Sequence, residues 1–160
     1  VLRLNDNVIA IEKSAQATSE QYELFLRYQD SRHAGGDMAT MDYYDYQALV
    51  EETPVETALV EFQNDDGMLV GGCLVVIMAD GLSAVYSYFD PQYHKNSLGT
   101  YMILWLIERA KQLNLPYVYL GYWIGGSPKM AYKDKFLPLQ YFAADGWSEF
   151  DKKALLSANK

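Results

Sequence analysis

Apolar positions change their spacing several times along this chain. Val8-Ile9-Ala10-Ile11 forms a short apolar run after the turn-forming Asn5-Asp6-Asn7 and reads as a first strand. Thr18 lies three residues before Gln21, a capping-box spacing, and Tyr22, Phe25, Leu26 and Gln29 follow at i, i+3, i+4 and i+7. That pattern predicts a helix over 19–32. Gly35-Gly36 stops it, Asp42 offers a cap for a second helix over 43–51 with Tyr46, Leu49 and Val50 on its apolar side, and Pro54 marks the exit. Residues 58–62 then read as a strand, Asn64-Asp65-Asp66-Gly67 as a hairpin turn and 68–78 as the returning strand, with Gly71-Gly72 signalling a bulge or a close approach. Asp80-Gly81 is a second hairpin signal, 82–89 the third strand of an antiparallel meander, and Asp90-Pro91 its end. A helical period returns over 101–113, apolar nearly all round until Glu108, Arg109 and Lys111, which predicts a helix buried on most sides. After Leu115-Pro116, residues 117–124 read as a strand inside a sheet, and the short strand, helix, strand succession predicts a right-handed crossover with both strands parallel. Residues 125–145 are loop-rich, and 148–160 form a polar, frayed or helical tail.

Composition narrows the chemistry. Half of the 160 residues are apolar, enough for one buried core. Unbroken apolar runs such as 101–107 are far short of the roughly 18–20 residues of a membrane span, and residues 1–13 lack the features of a signal peptide, so a soluble, cytoplasmic chain is expected. Cys73 is the only cysteine, which excludes an internal disulfide and a multi-cysteine metal site in these residues and fits a reducing cytosol. With 13 basic against 21 acidic residues the net charge is −8, the wrong sign for gripping nucleic acid by its phosphates alone. Any nucleic-acid role must rest on a local basic patch. Tyrosine is over-represented, with 14 in the chain and eight of them from Tyr86 to Tyr132, which fits either a wet binding cleft or half-buried strand faces.

Two helices, a three-strand antiparallel meander, a crossover helix and a parallel strand make an α/β order similar to that of the GNAT acyltransferase fold, in which the last meander strand and the next strand splay apart around the acyl donor. The residues carry a closer resemblance. Arg32-His33-Ala34-Gly35-Gly36, Asp80-Gly81-Leu82-Ser83-Ala84-Val85-Tyr86, Phe89-Asp90-Pro91, Ser97-Leu98-Gly99-Thr100-Tyr101, Leu115-Pro116-Tyr117-Val118-Tyr119-Leu120-Gly121-Tyr122-Trp123-Ile124 and Lys129-Met130-Ala131-Tyr132-Lys133 stand in that order. Over about residues 1–140 this resembles the carboxy-terminal catalytic domain of the compact bacterial aminoacyl-tRNA–protein transferases, the aspartate/glutamate leucyltransferases, similar to the eukaryotic arginyl-tRNA–protein transferases. The family's amino-terminal domain, with its cysteine-rich motif, has no counterpart in these residues.

The resemblance implies transfer of an amino acid from its tRNA ester to the α-amine of a protein's first residue, Asp or Glu, marking that protein for degradation; aminoacyl-tRNA and the acidic protein N-terminus are the expected partners, with no cofactor, metal or membrane. An α-amine has a pKa of about 7.7–8.0 and the ester is activated, so positioning supplies most of the rate, aided by a proton acceptor and an oxyanion donor. Asp90, at the carboxyl end of the strand beside the expected splay, is a candidate to hold the ammonium, or else a turn opener. Tyr86 and Tyr88 alternate along that strand and point together into the cleft or into the core. Tyr119, Gly121 and Trp123 share one face of the expected parallel strand. Ser97-Leu98-Gly99-Thr100 lies where GNAT enzymes place their pyrophosphate loop, so Ser97, Gly99 and Thr100 are candidates for a phosphate or terminal ribose, or a plain helix cap. A single glycine in that turn, with Leu98 adding bulk, argues against coenzyme A. Lys129, Lys133 and Lys135 with Arg32 are either a solvated face or the patch for an acceptor stem, with Tyr132 and Phe136 stacking about it. His33 is a candidate to bind the acceptor's acidic side chain or relay a proton, or only to meet the helix dipole. His94 reads as solvent-exposed and Cys73 as a small core residue.

The expectation is one GNAT-like catalytic domain over 1–147 with a polar tail over 148–160, and a donor site between residues 82–90 and 117–124. Leucine is favoured over arginine as the transferred residue by the compact spacing of the motifs. A coenzyme A-dependent N-acetyltransferase and a non-catalytic module binding acidic peptide ends are the rivals.

Overall fold

The structure, a computed structural model, describes residues 1–32, 36–124, 127–128 and 130–151. It divides into two compact units, Val1–Tyr119 and Leu120–Lys160. In the first unit a 3-10 turn, Leu2–Asn5, leads into β1 (Ile9–Ser14), α1 (Ser19–Arg32), α2 (Tyr43–Glu51), β2 (Thr57–Gln63), β3 (Leu69–Met78), β4 (Gly81–Phe89), a 3-10 turn over Pro91–Asn96, α3 (Leu98–Gln112) and β5 (Tyr117–Tyr119). The five strands make one sheet in the order β1-β2-β3-β4-β5. Neighbours are antiparallel except β4 and β5, which are parallel as the crossover predicts.

Local chemistry accounts for the helix ends. The Thr18 hydroxyl accepts from the Gln21 amide at 3.3 Å while the Gln21 side chain accepts from the Thr18 amide at 3.0 Å, closing the box read from the sequence. Asp42 and Asp45 make the reciprocal pair at α2. Each cap is worth about 1 kcal/mol. In α3 the buried Leu98, Met102, Leu106 and Ala110 recur at intervals of four residues, and Ile103 widens the stripe.

Alternation along the strands sends neighbouring residues to opposite faces. Phe62 meets Tyr101 and Trp105 of α3, with ring centroids 6.1 and 5.9 Å apart, so that face of the sheet is covered by α3. Tyr88 meets Phe25 of α1 at 5.8 Å and Tyr46 of α2 at 6.2 Å on the other. The paired glycines of β3 mark close approaches on both sides. A Cβ on Gly71 would strike the Met102 Cε, and one on Gly72 would stand 2.5 Å from the Tyr88 ring carbon and hydroxyl.

Three boundaries differ from the sequence reading. β5 ends at Tyr119 instead of running to 124: Gly121 turns the chain with φ +73°, and an apolar run alone does not fix where pairing stops. The stretch expected to be loop contains a 3-10 turn, Ala131–Lys135, and a hairpin of β6 (Gln140–Ala143) and β7 (Gly146–Glu149). That hairpin closes through Asp145-Gly146, with Gly146 at φ +98°, and carries the chain past 148, where a tail was expected to begin. Gly35 and residues 152–160 of that tail lie outside the described residues.

Candidate active site along β4

β4 is paired differently at its two ends. Gly81, Leu82 and Ser83 pair with Tyr117, Val118 and Tyr119 of β5, and no pairing to β5 continues beyond Ser83. On the other side β3 accompanies β4 throughout, with one extra residue, Val85, accommodated where Leu74 faces Tyr86 and Val75 faces Ala84. The carboxyl half of β4 thus presents one backbone edge that no described strand covers; it carries Tyr86 and Tyr88, and Asp90 follows directly after it.

Tyr88 faces α1 and α2, and Tyr86 faces α1. Tyr88 is 2% exposed and its hydroxyl lies 2.6 Å from that of Tyr46. The Tyr46 hydroxyl donates to Gln21 Oε1 at 3.4 Å, Gln21 Nε2 donates to Glu61 Oε1 at 2.8 Å, and the Lys13 ammonium meets Glu61 Oε2 at 2.6 Å. Burial raises the pKa of Tyr46 to about 12 and raises that of Tyr88 further, so both remain phenols. Burial also pushes on Glu61, yet the hydrogen bonds from Lys13 and Gln21 and the Lys13 charge hold its carboxyl below the usual range. Tyr88, which the sequence leaves between cleft and core as a candidate to bind substrate, is therefore a core residue in a closed hydrogen-bond chain. Tyr86 is half-buried against Phe25, with centroids 5.9 Å apart, and its hydroxyl accepts from Gln29 Nε2.

Asp90 Oδ1 accepts from the Gln92 amide at 2.9 Å, capping the turn that follows, and Oδ2 stands 3.6 Å from the Arg27 guanidinium. Asp90 thus opens the turn, and its second oxygen faces a cation of the chain itself. Arg27 was missed in the sequence because it lies off the apolar stripe of α1. Gly99 packs beneath Phe89, where a Cβ would stand 3.1 Å from the ring, so its small size lets α3 approach β4. Ser97 holds φ 55° and makes no side-chain cap; its carbonyl accepts from the Thr100 and Tyr101 amides at 3.0 Å. Ser97 is exposed, and Gly99 and Thr100 are half-buried. Arg32 ends α1, exposed, with its charge acting on Tyr28.

Tyr119 lies elsewhere. It pairs with Ser83, and its hydroxyl donates to Asp80 Oδ2 at 2.9 Å. Seven residues of strand separate Ser83 from Asp90, about 23 Å at the usual rise, so Tyr119 and Asp90 are not brought together.

In the second unit, a Lys133 Nζ proton is donated to the Tyr122 carbonyl at 2.7 Å, and the ammonium lies 3.8 Å from where a Gly121 Cβ would be. Partial burial lowers the Lys133 pKa. Lys133 braces the loop backbone with one donor. Trp123 meets Phe150 edge-on at 5.0 Å, and its buried indole N–H finds no partner among the described residues. Tyr132 stacks edge-on against Phe136 at 6.4 Å. His33 and Lys129 lie outside the described residues. Cys73 is fully buried, its thiol pushed up to about 12 by burial, as a core reading requires. Among the described residues no cluster of His, Cys, Asp and Glu could hold a metal ion, and no helix is long and apolar enough to cross a membrane.

Comparison with solved structures gives the fold. The ribosomal-protein-S18-alanine N-acetyltransferase of Escherichia coli superposes with a TM-score of 0.59 at 13% identity, over 88% of this chain and 89% of its own. A GNAT-family acetyltransferase of Staphylococcus aureus Mu50 gives 0.56 at 17% identity over 91% of each. The architecture is GNAT-like. Among curated proteins, an aspartate/glutamate leucyltransferase of Paramagnetospirillum magneticum is 53% identical over 94% of this chain and 62% of its own length. Another of the same name from Rhodospirillum rubrum is 46% identical over 96% and 63%. The chain therefore spans about three fifths of the length of these relatives. The family described as "Arginine-tRNA-protein transferase, C terminus" matches residues 20–143. The chain belongs to this arginine-tRNA-protein transferase C-terminal family.

Proposed function

We propose that this chain is the catalytic part of an aminoacyl-tRNA–protein transferase that moves leucine from its tRNA ester to the α-amine of proteins beginning with Asp or Glu, and so marks them for degradation. The observation that carries the reading is the match to that family over 20–143, joined by relatives whose name specifies aspartate/glutamate and leucine. The chemistry at the carboxyl end of β4 is compatible with it. Aminolysis of an activated ester needs an amine held as a nucleophile, a hydrogen-bond donor for the developing oxyanion and little else. Asp90 would receive the ammonium, in exchange for its contact with Arg27, and pass on its proton; Tyr86, kept neutral by burial, would be the oxyanion's donor. The α3 start at Ser97, Gly99 and Thr100 would meet the terminal ribose or phosphate. Arg32, His33 and Lys129 remain candidates for the acidic partners, and Gly121, Trp123, Tyr132 and Lys133 for the donor end.

The test is a transfer assay on the full-chain protein, with Asp-, Glu- and Ala-started peptides against leucyl-tRNA, arginyl-tRNA and acetyl-CoA. Leucine on the Asp and Glu peptides is the expected product. Acetylation without aminoacyl transfer would replace the reading with coenzyme A chemistry, and arginine as the transferred residue would correct the donor. Because these 160 residues carry a net charge of −8, their tRNA affinity by themselves should be weak and fall steeply with salt.

A further inference from the structure

We propose that Gln29 is a positioning residue for the transfer reaction: its buried side-chain amide holds the Tyr86 hydroxyl so that the phenolic proton is presented to the substrate carbonyl instead of to the protein. The inference rests on the aminoacyl-transfer reading above and adds to it a residue that no sequence motif singles out for this role.

A phenol has one proton to give and lone pairs to fill. Gln29 Nε2 fills a lone pair of the Tyr86 oxygen, and among the described residues no acceptor takes the Tyr86 proton. Gln29 is 1% exposed, one helical turn beyond the fully buried Phe25 that underlies the Tyr86 ring. Its Oε1 is buried with no hydrogen-bond partner. The reverse amide orientation would absorb the Tyr86 proton and bury an unpaired N–H, which is the rarer and less tolerated orphan. A buried amide satisfied on one side only is a poor stability device, because an apolar side chain of similar shape would lose one hydrogen bond and shed an unpaired carbonyl. What the amide does achieve is a fixed phenol. Burial, with Tyr28 nearby, pushes the Tyr86 phenol up to about 12 against the lowering effect of the Gln29 bond, so it donates and does not act as a base at neutral pH.

In the reaction the α-amine nitrogen bonds to the ester carbonyl carbon, and the carbonyl oxygen, becoming an oxyanion, accepts a hydrogen bond from Tyr86, which keeps its proton. The carbon–oxygen bond to the tRNA ribose then breaks, and the proton lost by nitrogen ends on the ribose oxygen. Gln29 touches neither substrate.

The experiment compares wild type, Gln29→Leu, Tyr86→Phe and the double variant in the full-chain protein, reading leucine transfer to a Glu-started peptide together with Tm. Gln29→Leu should lower kcat about tenfold, leave KM for leucyl-tRNA within about twofold, and keep or raise Tm. The double variant should be no slower than Tyr86→Phe alone, since both remove one device. Normal kcat in Gln29→Leu, a lowered Tm with unchanged kcat, or losses that multiply in the double variant would each overturn the proposal. Absence of transfer by the wild type would overturn the functional reading itself, and this proposal with it, in a result distinct from those three.

Discussion

Tyr86 and Tyr88 stand two residues apart on one face of β4, both against α1, yet their hydroxyls are treated differently. That of Tyr88 is sealed from solvent and tied through Tyr46, Gln21 and Glu61 to Lys13, a chain that ends in a charge pair at the surface. That of Tyr86 is held by one amide and gives its proton to no described residue. A closed network spends every donor and acceptor on specifying the core. An open one leaves a proton for something that arrives. Sharing a face of a strand therefore does not imply sharing a role, and the neighbouring elements decide which tyrosine is structural.

The comparison can be broken most forcefully on the Tyr88 side. Gly72→Ala would set a Cβ 2.5 Å from a ring anchored at its hydroxyl, and should cost about 3 kcal/mol of unfolding free energy in denaturant titration. Gly71→Ala collides only with the terminal methyl of the Met102 side chain and should cost about 1 kcal/mol. Equal costs would mean that Tyr88 yields as easily as a methionine, and the closed network would not be rigid.

Acid should act on the same network. The Glu61 carboxyl titrates below its unfolded value, so it contributes stability that is fully present above the ordinary carboxylate range and is lost as pH falls through the folded pKa. Thermal melts between pH 7 and pH 3 should show Tm falling on the acid side, with a shallower fall in Glu61→Gln, whose Tm at pH 7 is lower. An unchanged acid limb would remove Glu61 from the account. The smallest effect concerns Cys73: buried with its thiol raised, it should resist thiol reagents at neutral pH until the protein unfolds.

Much of the fold was legible because local signals agreed. The Thr18/Gln21 box, the Asp80-Gly81 turn and the four-residue recurrence in α3 each state a period and a boundary. Asp145-Gly146 is the same dipeptide as Asp80-Gly81 and likewise stands at a two-residue link between paired strands, but no apolar alternation flanks it, so the turn was missed. The strand expected to reach 124 stops at Tyr119 because pairing, which sequence does not display, ends there. Within the candidate site, the tyrosines and Asp90 were visible as residue types on a strand end. What was hidden is partnership: Gln21 and Gln29 occupy helix positions where they pass for a cap and a stripe member, and only packing shows that each governs a tyrosine hydroxyl.

The central claim is that Tyr88 serves the fold and Tyr86 the reaction. The most direct measurement pairs Tm with the rate of leucine transfer for Tyr88→Phe and Tyr86→Phe in the full-chain protein. Tyr88→Phe leaves the buried Tyr46 hydroxyl short of a partner and should cost about 1–3 kcal/mol while the transfer rate stays within about threefold of wild type. Tyr86→Phe leaves the buried Gln29 N–H without its partner and should also cost about 1–3 kcal/mol, but it should slow transfer by about a hundredfold, on the order of what one oxyanion donor contributes. Stability and rate falling together in both variants, or transfer unaffected by Tyr86→Phe, would contradict the account.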